Sequence, residues 1–149
     1  MLRHRTLMMS LLLGSLALAG CDEALSDLTG PTPNLEPTFS SIQAEIFENG
    51  DSSGRPACIN CHNAATPFVA GGLNLTHAVA YSNLVNVASR FKAGATRVVP
   101  GDPENSYLVH KLEGRAGIAG ARMPLNGPYL NDGQIAVIKR WIETGAAND

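Results

Sequence analysis

Two cysteines and a histidine form a compact group of reactive side chains near the middle of the chain. Cys58-Ile59-Asn60-Cys61-His62 is a C-x-x-C-H sequence, which is the attachment pattern of c-type haem. Two thiols three positions apart can each add to one haem vinyl group, and the next residue then directs its imidazole at the iron. The pattern predicts one covalently attached haem c, held by Cys58 and Cys61, with His62 as the proximal iron ligand.

Other two-cysteine sites fit the surrounding sequence less well. A disulfide between Cys58 and Cys61 would close a very small, strained loop. A thioredoxin-like dithiol needs a strand within a βαβ unit, and the chain shows no good strand alternation. A zinc knuckle needs a second C-x-x-C or two suitably spaced histidines, which this sequence lacks.

A six-coordinate haem needs a second iron ligand, for which the methionines and the other histidines are candidates. Outside the first twenty residues the candidates are Met123, His77 and His110. A loop methionine held by the following Pro124 can present its thioether without disrupting a helix, and His/Met ligation raises the reduction potential. We therefore expect Met123 to be the distal ligand. Two alternatives stay open, in which Met123 fills a gap in the core or His110 completes a bis-histidine site; His77 is expected to lie at the surface or in helix packing.

The first twenty residues have the form of an export signal. A positive region with Arg3 and Arg5 precedes an apolar stretch over residues 7–18, which is shorter than the roughly 20 residues of a membrane-spanning helix. Leu18-Ala19-Gly20-Cys21 resembles the lipobox of bacterial lipoproteins. That resemblance implies a signal peptide over residues 1–20 and lipidation of Cys21, with an ordinary signal peptide as the alternative.

Export and lipidation would place the mature protein on the periplasmic side, anchored to a membrane through Cys21. Asp22 follows the lipidated residue and weakly favours the inner membrane over the outer. Residues 22–37 combine acidic residues with glycine and proline, so we expect the lipidated N-terminus and a flexible linker over 21–37.

The length of the remaining sequence suits a single domain over residues 38–149. This part carries nine basic and nine acidic residues, so long-range steering toward a highly charged partner should be weak. The net charge of the whole chain is −2, which does not suit a nucleic-acid binder.

Helical periodicity predicts an all-α fold with long loops. The first helix should contain Phe39, Ile42 and Ile46, with Ser40 as its N-cap. A second, weaker helix is predicted over residues 78–88.

Two further helices are predicted nearer the C-terminus. The third should be capped by Asp102, have Pro103 at its first position and end before Gly114. The fourth should span residues 132–144 before Gly145, and its apolar stripe comprises Ile135, Ile138 and Ile142, flanked by Val137 and Trp141.

Several short segments accompany the C-x-x-C-H sequence in a definite order. They are residues 42–47, 58–62, 71–75, 99–103, 106–108, 123–124, 134–142 and 145–146. In this order they resemble the class I bacterial c-type cytochromes, especially the short haem domain of planctomycete-type cytochrome c. The resemblance implies a small helical domain wrapped around one haem, which is attached through thioethers at Cys58 and Cys61. It implies His62 and Met123 as the axial ligands. It also implies that the first and last helices cross, with Phe47 and Trp141 near the contact.

Two features depart from that family. A Gly/Ser-rich insertion over residues 49–57 separates Phe47 from Cys58, and the stretch from His62 to Met123 is long. Both affect the loops that surround the expected haem.

The resemblance implies an electron-transfer protein and not an enzyme. Such a protein passes single electrons between redox proteins of the cell envelope by outer-sphere transfer. Contacts with such partners are small, typically burying less than about 1,200 Å². Arg97 and Arg122 are candidates to pair with haem propionates. The alternative is that both arginines are solvated at the surface. Only 5% of the residues are aromatic, and a haem in the core would offset that shortage.

Three alternatives to a free electron carrier follow from the same residues. The chain can be a haem subunit of a larger redox complex. It can be a haem enzyme or sensor with an open iron position, if Met123 is not a ligand. It can be a thiol–disulfide oxidoreductase, if Cys58 and Cys61 remain free thiols.

Overall fold

The structure, a computed structural model, describes residues 29–65 and 70–149. The predicted signal peptide and Cys21 lie outside this part of the chain. Within it, short helices alternate with long loops, and β structure is limited to isolated bridges, such as the one between Val85 and Val98. The predicted all-α class is confirmed for the described residues, and none of their helices is long and apolar enough to cross a membrane.

The first helix has two parts. Helix α1, Phe39–Ile42, continues directly into a π-helical segment, Gln43–Glu48. Its N-cap is Thr38, whose hydroxyl accepts a hydrogen bond from the backbone N–H three residues later at 3.3 Å. The prediction of Ser40 as the N-cap is wrong, because its N–H and hydroxyl both donate to the carboxylate of Asp149.

The second helix is shorter than predicted. Helix α2 spans Ala80–Leu84, and the chain turns extended at Val85, which pairs with Val98 in a β-bridge. Backbone pairing with a distant segment therefore ends the helix before residue 88.

The third helix begins later than predicted. Helix α3 spans Tyr107–Glu113, because Asp102 caps a preceding turn, where it accepts a hydrogen bond from the N–H of Asn105 at 3.0 Å. Its end is as predicted: Gly114 adopts a left-handed conformation with φ of 72°, which glycine tolerates without strain.

The last helix matches its prediction most closely. Helix α4, Asp132–Glu143, opens with a capping box in which Asn131 and Gln134 satisfy each other's backbone N–H groups. The predicted apolar stripe and its flanking residues are all buried: Ile135, Val137, Ile138, Trp141 and Ile142.

Aromatic side chains join the first helix to the last. The ring of Phe39 lies 5.5 Å from that of Trp141, 5.2 Å from that of Tyr81 and 6.5 Å from that of Phe47, measured between centroids. Phe47 and Trp141 are both buried in the core, with Phe39 between them.

The predicted boundary between linker and domain is wrong. Leu35 is 1% exposed and belongs to the core, and Thr32 is buried where its hydroxyl accepts a hydrogen bond from Gln134 at 2.9 Å. Asn131 also donates to the carbonyl of Thr29 at 3.2 Å. Packing against α4 makes residues 29–37 part of the domain, although their composition is typical of a linker.

Replacement of Leu35 by alanine tests this boundary. We expect the free energy of unfolding to fall by about 2–5 kcal/mol, because the substitution leaves a cavity in the core. Urea unfolding of the mature protein measures the loss. The control is Glu36→Ala, at an exposed neighbour, which should change stability by less than about 0.5 kcal/mol. Equal effects of the two substitutions would restore the linker interpretation.

Candidate functional site

The C-x-x-C-H residues lie on one tight turn. Cys58–Asn60 forms a single 3₁₀ turn, and the N–H groups of Cys61 and His62 both donate to the carbonyl of Cys58, at 3.2 and 2.9 Å. The carbonyl of His62 in turn accepts a hydrogen bond from the N–H of Leu75 at 2.9 Å. The backbone thus holds the two cysteines and the histidine together and ties them to the chain that follows.

The two thiols have different surroundings. Cys58 packs against the core, and its Sγ donates to the carbonyl of Ile46 at 3.3 Å, whereas Cys61 is exposed. Burial raises the pKa of Cys58 to about 11, while the nearby charge of Arg55 acts in the opposite direction. Cys58 is therefore a protonated thiol at neutral pH.

This protonation state bears on the oxidoreductase alternative. Thiol–disulfide exchange requires a thiolate, and reactive cysteines in such enzymes have a lowered pKa. Cys58 has the opposite shift. No disulfide joins Cys58 and Cys61, and the buried environment of Cys58 does not favour a thiolate there.

The imidazole of His62 is partly buried and incompletely satisfied. Its Nδ1 is buried and has no hydrogen-bond partner among the described residues. Burial lowers the pKa of His62, the backbone of Leu73 and Ala70 acts in the opposite direction, and the charges of Arg97 and Lys111 lower it further. A neutral imidazole, the form that ligates metals, is favoured.

Met123 lies in a loop that is fastened to α3. The Met123 side chain is partly buried against the core, and its N–H donates to the carbonyl of Lys111 at 2.8 Å. The ammonium group of Lys111 donates to the carbonyls of Ala119, at 2.9 Å, and Ala121. The charge of Lys111 also lowers the pKa of His62, after the larger effect of burial.

The other two candidate ligands are placed differently. His110 has its Nε2 2.6 Å from the carbonyl of Glu104, and its ring packs edge-on against Tyr107. His77 is largely exposed, with Nδ1 3.5 Å from a carboxylate oxygen of Glu48. These contacts favour Met123 over His110 as the candidate distal ligand.

Both candidate propionate partners are bound to backbone carbonyls. Arg97 donates to the carbonyls of Asn83, Gly71 and Gly72, at 2.7, 3.2 and 3.3 Å. Arg122 donates through Nε to the carbonyl of Leu112 at 2.7 Å, and its guanidinium lies 4.1 Å from the ring centroid of Tyr129. Their contact with haem propionates stays a prediction.

Sequence reasoning missed two cations that organise the site. Arg55 is buried beside Cys58, and Lys111 fixes the loop that carries Met123. Arg55 could have been noticed as the single arginine among the mostly small residues of the insertion over residues 49–57. An isolated arginine in such a segment suggests a specific hydrogen-bond partner. Lys111 gave no comparable signal, because a lysine near the end of a helix is ordinary.

One further groove on the described surface lies apart from the C-x-x-C-H turn. This groove beside α3 and α4 is lined by charged side chains, but it includes none of the motif residues. Glu104, Glu113 and Glu143 in this groove all form ion pairs with lysine or arginine. Within residues 29–65 and 70–149, no group of three or more histidine, cysteine, aspartate or glutamate side chains is placed to hold a metal ion.

Comparisons of the chain with models of protein families, with curated proteins and with solved structures find no match.

Replacement of Lys111 by methionine tests how the Met123 loop is held. We expect a loss of about 1–3 kcal/mol in the free energy of unfolding, because two carbonyls lose a charged donor. Lys92→Met removes the same charge from an exposed position and should change stability by less than about 0.5 kcal/mol. Denaturant unfolding measures both variants, and a Lys111→Met protein as stable as the Lys92→Met protein would contradict this role.

Proposed function

We propose that this protein is a mono-haem c-type cytochrome that carries single electrons between redox proteins. The observation that carries the proposal is the C-x-x-C-H turn itself. One thiol lies against the core, the other faces solvent, and the buried Nδ1 of His62 has no hydrogen-bond partner among the described residues. These features fit the attachment of a large flat group along the turn, with one side packed on the protein.

Each residue of the site has a role in this proposal. Cys58 and Cys61 would hold the haem through thioethers, His62 would be the proximal iron ligand, and Met123 the distal one. The haem iron, when bound, takes up and releases one electron, at a potential that the axial ligands and burial adjust. The chain's own contribution is rigidity, since the bonds to Cys58, Leu75 and Lys111 hold both ligand-bearing segments.

Rigid ligands suit electron transfer. An electron carrier works best when its ligands move little between the two oxidation states, because movement adds to the barrier. The carbonyl of His62 is bonded to Leu75, and the Met123 loop is bonded at three points to Lys111. These contacts support a carrier, and no observation favours an open-site enzyme or a subunit of a larger complex over it.

The site of action is proposed from the N-terminal sequence. The signal peptide over residues 1–20 and the lipidated Cys21 would place the domain at the periplasmic face of a membrane. Thr29 is already packed on the domain, and it lies eight positions after Cys21. That stretch reaches at most about 30 Å, so the domain would stay close to the membrane and meet partners there.

The first test is the absorption spectrum of the protein co-expressed with cytochrome c maturation machinery. We expect a sharp reduced α-band that survives denaturation, because the thioethers are covalent, and a mass increased by one haem. Cys58→Ala/Cys61→Ala is the matched control and should carry no covalent haem. An exported wild-type protein with two free thiols and no haem would overturn the proposal.

The distal ligand is tested by comparing Met123→Ala with His110→Ala. We expect Met123→Ala to lose the weak long-wavelength band of methionine-ligated ferric haem and to have a lower reduction potential, because the thioether favours ferrous iron. His110→Ala should keep both properties. If His110→Ala loses its second ligand while Met123→Ala keeps it, the site is bis-histidine.

A further inference from the structure

The insertion that separates Phe47 from Cys58 closes the end of the first helix. The final carbonyls of any helix lack partners within the helix. Here Asn49 donates to the carbonyl of Ala44 at 2.9 Å, and Arg55 donates to those of Glu45 and Ile46, both at 3.0 Å. Side chains of the insertion thus supply the donors that the π-helical segment needs at its end.

The Arg55 guanidinium uses all of its hydrogen-bond donors at this position. Its side chain is 0% exposed, and each of its five N–H groups has an acceptor. Besides the two helical carbonyls, these acceptors are the carbonyls of Asn49 at 3.1 Å and Pro56 at 3.2 Å, and the Asp51 carboxylate at 2.9 Å. A guanidinium provides five donors in a rigid plane, so this arrangement cannot be reproduced by lysine.

The backbone of the insertion is also closely packed around this arginine. A Cβ atom added at Gly50 would lie 2.5 Å from the carbonyl oxygen of Arg55, so a larger residue there requires the backbone to move. The N–H of Asp51 donates to the same carbonyl at 3.2 Å. Glycine at position 50 therefore allows the loop to fold back on itself and carry Arg55 inward.

Arg55 and Cys58 share an acceptor. The carbonyl of Ile46 accepts from Nη1 of Arg55 at 3.0 Å and from Sγ of Cys58 at 3.3 Å. If Cys58 loses its thiol hydrogen in a thioether, the carbonyl keeps the arginine as its donor and does not become a buried, unpaired group. Arg55 therefore makes the end of the helix compatible with both forms of Cys58.

Asp51 balances the charge that Arg55 brings into the interior. Its side chain is 1% exposed and forms an ion pair with Arg55, and it also accepts hydrogen bonds from Ser53 and Gln134. The link to Gln134 connects the insertion with α4. Removing either member of such a pair leaves an unbalanced buried charge.

We infer that the Asp51–Arg55 pair is a positioning and charge-balancing element for the attachment turn. Arg55 fixes the turn that carries Cys58 against the end of the first helix, and Asp51 cancels the charge of Arg55 beside the redox site. The inference rests on the proposed function, since its electrostatic part concerns a group attached at Cys58 and Cys61.

Single and double variants separate the two parts of this role. Asp51→Asn leaves the positive charge unbalanced, which favours uptake of an electron, so the reduction potential should rise. Arg55→Gln leaves the negative charge and should lower the potential. Each single change should alter the equilibrium constant for one-electron reduction by about threefold or more, as one charge does at an effective dielectric near 20, and the double variant should return toward wild type.

Arg55→Lys and Asp149→Asn are the matched controls. Arg55→Lys keeps the charge but loses donors, so it should lower the urea midpoint and leave the potential near that of wild type. Asp149 accepts hydrogen bonds from Phe39 and Ser40 at the other end of the same helix. Asp149→Asn makes the same acid-to-amide change at that end of the helix and should not shift the potential.

The experiment is a redox titration of the haem-loaded full-length variants, with urea unfolding of each. Opposite shifts for Asp51→Asn and Arg55→Gln support the inference, because a merely structural role would move both potentials in the same direction. Shifts of the same sign, or none, overturn it. If Arg55→Gln does not fold, the test rests on Asp51→Asn. Its reduction potential must then be higher than those of the wild type and of Asp149→Asn, or the inference is wrong. Absence of haem from the wild type would instead overturn the proposed function itself.

Discussion

The first helix ends against buried residues, among them Ile46, Phe47 and Arg55, and its last carbonyls must find hydrogen-bond donors there. The bond from Asn49 to Ala44 lies at the surface, whereas the carbonyls of Glu45 and Ile46 are met by Arg55, whose side chain is 0% exposed. The donors come from Asn49, Arg55 and Cys58, all of which follow the helix in the chain. The path of the insertion and the position of the first cysteine are consequences of this requirement.

The buried Asp51–Arg55 ion pair serves to fix the conformation of the insertion more than to raise the free energy of unfolding. Transfer of two charges from water into the interior is costly, and apolar substitutes of the same volume often stabilise a protein equally well. What Arg55 provides is a set of five fixed donor directions, which selects one conformation of the insertion. Asp51 makes this possible by neutralising the charge.

The candidate site has a buried side and an exposed side. Cys58 and the Nδ1 of His62 lie on the buried side of the turn, while Cys61 lies on the exposed side. The Met123 loop is held separately, through Lys111 on α3. Two independently anchored segments thus contribute the residues proposed to enclose one flat cofactor, and each is fixed by backbone hydrogen bonds.

Local patterns determined those features that depend on neighbours in the chain. The apolar period and the following Gly145 predicted α4, which spans Asp132–Glu143. Two expectations were wrong because they depended on contacts with distant residues. Ser40 bonds Asp149 and does not cap the helix, and Leu35 is in the core although it lies among linker-like residues.

The tertiary structure alone decided how the candidate site is supported. The spacing of the two cysteines cannot show which thiol is buried, because burial depends on the core formed by segments far apart in the sequence. Arg55 and Lys111 have ordinary neighbours in the chain, and only folding brings them to the carbonyls of Ile46 and Ala119. Sequence thus determined which side chains are available for chemistry, and the packing of helices and loops decided their burial, charge balance and hydrogen-bond partners.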